Sequence, residues 1–120
     1  MVEEKTLSKH PPDQNSRFND ICREAVEETI RDVLGATVAE AYMKYTHNSL
    51  GISDEEMSTS LNVIFSSLKT IFAPGGNILG MRIVKKLYLK AGKSFQETPG
   101  LTPENYVKGL KQEFLKKPTD

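Results

Sequence analysis

Few side chains in this chain are spaced for chemistry. Cys22 is the sole cysteine. It falls mid-way along an apolar stripe, with no cation or histidine three or four residues away, which reads as a buried, inert thiol rather than a nucleophile. The two histidines, His10 and His47, have no ligand partner at helical spacing and make no metal pair. Asp54-Glu55-Glu56 lacks the spacing of a calcium loop and reads as the acidic first turn of a helix. Gly75-Gly76-Asn77 precedes a helix, where backbone amides can receive a phosphate. The lysine and serine of a P-loop are missing, however, and no strand leads in, so an interhelical turn is the simpler reading. No carboxylate pair and no nucleophile–base set stands out. The expectation is a protein that is not an enzyme, with no catalytic residue, cofactor or metal.

The one functional candidate is a surface. On a helical wheel of about 100° per residue, Arg82, Lys85, Lys86, Lys90 and Lys93 share one arc, and Leu89 lies within it. The bland reading is a solvated face with one stray leucine. The sharper one is a site for an acidic protein partner, or for self-association through Leu89. A weak nucleic-acid binder is the alternative, using Arg82, Lys85 and Lys86 with Lys108 and Lys111. That arc lacks aromatics for stacking, and no helix-turn-helix signature accompanies it.

Composition sets the frame. The chain has 120 residues, 38% of them hydrophobic, enough for one small core. It has no run of eighteen apolar residues, so no membrane partner is expected. A lone cysteine and a polar start without a secretory core point to a reducing, cytoplasmic setting. The formal charge is zero. Residues 1–60 nevertheless carry twelve acids and six bases, and residues 61–120 four acids and ten bases. Acidic helices packed beside basic ones account for such a split, as does a basic face kept for an acidic partner.

These residues need elements to hold them. Residues 1–15, with Pro11-Pro12, read as a flexible tail, and 16–117 as a single helical domain. Asn15 or Ser16 is placed to cap a first helix with the stripe Phe18, Cys22, Ala25, Val26, Thr29, Ile30, Val33, ended by Gly35. Thr37 and Glu40 have capping-box spacing for a second helix with the stripe Val38, Ala41, Tyr42, Tyr45, closed by Gly51. Ser53 and Glu56 repeat the box for a short turn. Ser58 or Thr59 opens a third helix with the stripe Leu61, Ile64, Phe65, Leu68, Ile71, Phe72, Val63 alone being misplaced. Pro74 stops it, Gly75-Gly76 reverse the chain, and Asn77 caps the central helix, 77–91. There Gly80, Met81, Ile83, Val84, Leu87, Tyr88 and Ala91 form a broad apolar arc that Ile78, Leu79 and Leu89 do not join. Gly80, within that arc, suits a close helix approach. Gly92 is its C-cap. Thr102-Pro103 starts a last helix with the stripe Tyr106, Val107, Leu110, Phe114, ended by Lys116-Lys117-Pro118. No segment has strand periodicity. The fold expected is all-α, a compact bundle of about five helices plus a short helical turn.

The order Val33-Leu34-Gly35, Ala39-Glu40-Ala41-Tyr42, Leu50-Gly51-Ile52-Ser53, Ile71-Phe72-Ala73-Pro74-Gly75-Gly76 and Ile83-Val84-Lys85-Lys86-Leu87-Tyr88 carries a resemblance. Over roughly Ile21 to Phe95 the chain resembles a small archaeal helical family, the Nitrosopumilus output-domain type, with Pro74 where a glycine is expected. The resemblance implies a signalling or regulatory output module in an archaeal cytoplasm. It carries over no catalytic residue.

Overall fold

The apolar stripes are short, and no helix of this length is stable alone in water, so the helices must bury them against one another. The computed structural model describes residues 14–115. It contains helices α1 (Gln14–Leu34), α2 (Ala36–Asn48), α3 (Leu61–Phe72), α4 (Pro74–Lys90) and α5 (Pro103–Leu115), with a 3-10 turn at Asp54–Glu56 between α2 and α3. No strand occurs among the described residues. The architecture is the expected all-α bundle. The tail reading for residues 1–15 falls almost wholly outside the described residues, as does the Lys116-Lys117-Pro118 stop. α4 is the central helix, packed against α1, α3 and α5.

The entry to α4 differs from the expectation. Pro74 is the first residue of α4, not the stop before a loop, and Asn77 lies inside the helix rather than capping it. Proline suits the first helical position, because its fixed φ is helical and the amide it lacks has no partner there. Ala73 alone joins α3 to α4, at φ 55° and ψ −131°. A residue with a Cβ adopts that conformation only under strain. The glycine pair therefore does not make the turn. Gly76 sits in the first turn of α4 with its Cα pressed on α3, and a Cβ there would collide with the backbone carbonyl of Leu68. Gly80, one turn on, is less demanding. A Cβ there would meet Phe65 Cδ1 at 3.5 Å, an ordinary contact. The close approach lies at Gly76.

One apolar cluster draws on every helix, including Phe18, Ile30, Tyr42, Met57, Phe65, Leu68, Ile83, Leu87 and Leu110. Ile83, Val84 and Leu87 are fully buried, as the central-helix reading requires. Leu79, which the wheel had left over, is buried too. Three stripes run past their neighbours: Val33, Val38 and Ile71 are exposed at helix ends. In α2 the buried line is Ala39, Tyr42 and Thr46, not Val38 and Ala41. The helix starts at Ala36 with Gly35 as its N-cap residue, so Thr37 already lies inside and no side chain caps it. The Tyr42 hydroxyl meets Ser67 Oγ at 2.5 Å in the core, joining α2 to α3. α1 already starts at Gln14, so Asn15 and Ser16 lie inside it rather than capping it, but two other local signals hold. The Ser53–Glu56 capping box is complete. Thr102 Oγ1 accepts from the Asn105 amide at 3.2 Å. α3 begins at Leu61 behind Ser60, a residue or two later than expected.

The acidic triplet secures the α2–α3 corner. His47 stands between the Met43 carbonyl (Nδ1, 2.8 Å) and Asp54 Oδ1 (Nε2, 2.9 Å). Both partners are acceptors, so only the imidazolium, with two N–H groups, satisfies both. The Met43 carbonyl first, then Asp54, raises the His47 pKa.

Two outcomes follow from these contacts. Gly76→Ala lowers stability by about 1–3 kcal/mol, whereas Gly80→Ala is neutral or gains up to about 1 kcal/mol in helix propensity. Urea unfolding of the pair measures this, and equal stabilities would rule out the close-approach account. A raised histidine pKa gives stability that is full below the free-histidine value of about 6.5 and fades as pH rises through the higher folded value. His47→Gln should thus destabilise more near about pH 5.5 than near about pH 8.5. Because the pair is exposed the effect is small, and a pH-independent loss would place His47 outside this linkage.

Candidate functional site

The six residues singled out on the central helix do not act as one face. Lys86 and Lys90 turn toward α1, where Glu24, Glu28 and Asp32 recur every four residues on one edge. The two helices run antiparallel. Lys90 Nζ lies 3.0 Å from Glu28 and 3.3 Å from Glu24. Lys86 Nζ lies 2.7 Å from Asp32 and 3.9 Å from Glu28. The hydrogen bond from Lys86 pulls the Asp32 carboxyl pKa down, and the bond to Glu28 holds the Lys90 ammonium pKa up. Part of the charge split between the chain halves is thus spent inside the fold. Lys93 leaves the group for a different reason. α4 ends at Lys90, and Gly92 at φ 73° turns the chain away. The Lys93 amide donates to the Tyr88 carbonyl and the Gly92 amide to that of Leu89, a Schellman closure. Lys93 therefore lies beyond the helix face it was assigned to.

Arg82, Lys85 and Leu89 remain, and the structure adds Ile78. These four are exposed along the outer side of α4, at spacings of four, three and four residues. They lie within an arc of about 60° on the helix. Ile78 is 61% exposed and Leu89 76%. Among the described residues neither Arg82 nor Lys85 pairs with a carboxylate. Lys85 Nζ instead sits 5.9 Å over the Phe95 ring, which stacks edge-on against Tyr88.

Two depressions flank this ridge. One, of about 280 Å³, lies between α1 and α4, lined by Thr29, Asp32 and Val33 on α1 and by Arg82, Lys85, Lys86 and Leu89 on α4. Val33, 44% exposed, supplies its apolar α1 wall. Thr29 is 2% exposed, and its hydroxyl has no hydrogen-bond partner among the described residues. The other, of about 510 Å³, is lined by Asn77, Ile78 and Met81 with Arg82 and Lys85. The two cations thus stand between both hollows. Sequence reading set Ile78 aside as an irregularity and placed Val33 in the core. The spacing of 78, 82, 85 and 89 was the available signal, masked by lysines of the same type that pair with α1.

The remaining chemical candidates are occupied structurally. Burial pushes the Cys22 thiol pKa up to about 12, out of the nucleophile range. The Gly76 amide donates to the Ala73 carbonyl at 2.9 Å. Among the described residues no three His, Cys, Asp or Glu side chains are grouped to hold a metal ion, and no helix is long and apolar enough to cross a membrane.

The Glu28–Lys90 contact is part-exposed and contributes about 0.2–1 kcal/mol. A double-mutant cycle on Glu28→Gln and Lys90→Met should return a coupling in that range, shrinking in about 1 M salt, where charges are screened beyond about 3 Å. Urea melts measure it, and zero coupling at low salt would mean that the ladder does not hold α1 to α4.

Comparison with protein-family models, with curated proteins and with solved structures yields no match for this chain.

Proposed function

We propose that this protein is a small helical interaction module of the regulatory-output kind, and that the outer side of α4 is where it meets a protein partner. One observation carries the reading. Arg82 and Lys85 lack carboxylate partners among the described residues, between two exposed apolar side chains, Ile78 and Leu89, while the neighbouring lysines are neutralised by α1. A lone exposed leucine needs no explanation, but apolar and cationic residues in register on one helix make a recognition surface. The resemblance to archaeal output domains agrees with such a role, and a reducing cytoplasm suits the single buried thiol. The nucleic-acid alternative loses ground to the ladder: Lys86 and Lys90 face carboxylates, leaving fewer cations for a phosphate backbone.

Selection of peptides of about 20 residues from a random display library tests this. Selected binders should lose about tenfold or more in affinity for Leu89→Ser and for Arg82→Glu/Lys85→Glu, and little for Lys44→Glu on α2. Binders indifferent to the α4 variants, or no binders, would overturn the reading. Tight duplex-DNA binding by the wild type, weakening steeply between roughly 50 and 300 mM salt, would favour the nucleic-acid alternative.

A further inference from the structure

The spacing on α4 constrains the partner more narrowly. Helices that pack side by side at a shallow angle meet along residues spaced alternately three and four apart. Ile78, Arg82, Lys85 and Leu89 form such a seam, apolar at both ends and cationic in the middle. The ends are eleven residues apart, or about 16 Å along the helix. Among the described residues the seam stands open on the fourth side of a helix whose other sides are covered by α1, α3 and α5.

A second copy of this chain fits poorly. In an antiparallel pair the seam would set Ile78 against Leu89 at both ends but Arg82 against Lys85 in the centre. In a parallel pair Arg82 would meet Arg82 and Lys85 would meet Lys85. Either register buries like charges together, which is unfavourable. The acids nearest the seam offer no relief, because Asp32 on the groove wall is bonded to Lys86.

Resting on the reading of α4 as the partner surface, we infer that its occupant is an amphipathic helix of a different, acidic protein, presenting apolar, acidic, acidic and apolar residues at i, i+4, i+7 and i+11. The acids meet Arg82 and Lys85, and the apolar ends cover Ile78 and Leu89. An apolar side chain beside the seam enters the α1–α4 groove against Val33. The spacing reads the same in both directions, so a parallel or an antiparallel helix satisfies it.

The test uses three labelled helical peptides of about 18 residues. One has leucine, glutamate, glutamate and leucine at those positions. The second has the same composition with the pattern scrambled. The third has lysines in place of the two glutamates. Fluorescence anisotropy should show the patterned peptide binding wild type about tenfold or more tightly than either control. Arg82→Glu/Lys85→Glu should reverse the preference toward the lysine peptide, and Leu89→Ser should weaken the patterned peptide. Equal binding of patterned and scrambled peptides would reduce the effect to bulk charge and overturn the inference. So would a concentration-dependent dimer in sedimentation that Leu89→Ser abolishes. If library binders map to α4 yet are neither acidic nor helically spaced, this inference fails while the partner surface stands. If no binder maps to α4, the surface itself fails.

Discussion

The contact between Gly76 and the backbone of Leu68 decides how this protein is put together. It brings the start of α4 onto α3 with no side chain between them. With only Ala73 between the two helices, α4 packs on α3, whose buried Ile64, Phe65 and Leu68 make it the first neighbour. α1 and α5 then close on two further sides. The fourth side stays open because no further helix among the described residues covers it.

Charge works at a second level. The carboxylates of α1 and the lysines of α4 form an antiparallel ladder that fixes how these helices slide and turn against each other. Part-exposed pairs add little stability. Their larger effect is selection: two of the cations are withdrawn, and Arg82 and Lys85 are left facing outward. An apparently uniform basic face becomes a narrow strip with apolar ends.

Local chemistry was readable in advance, and tertiary choice was not. The capping box at Ser53–Glu56, the Thr102-Pro103 start and the Gly92 stop depend on a few consecutive residues, and each formed. The core positions Leu61, Ile64, Phe65, Leu68, Ile83, Val84 and Leu87 followed from helical spacing alone. The Thr37–Glu40 box did not form because α2 already starts at Ala36. Val33 and Ile71 continue their stripes correctly, but their helices outrun the neighbours that would cover them. The candidate site was half legible. Its cations were visible, yet separating Lys86 and Lys90 from Arg82 and Lys85 required knowing that α1 lies antiparallel along one flank. That is a long-range fact no local spacing encodes.

The one-residue link between α3 and α4 also bears on oligomerisation. Helical hairpins with short, strained hinges are prone to open, fuse their arms into one long rod and exchange an arm with another molecule. Ala73, at positive φ, would gain from such straightening. Pro74 opposes it, since within a continuous rod its ring would press on the carbonyl of Thr70 and remove a backbone hydrogen bond, at a cost of about 3 kcal/mol. The residue that begins α4 therefore also disfavours arm exchange.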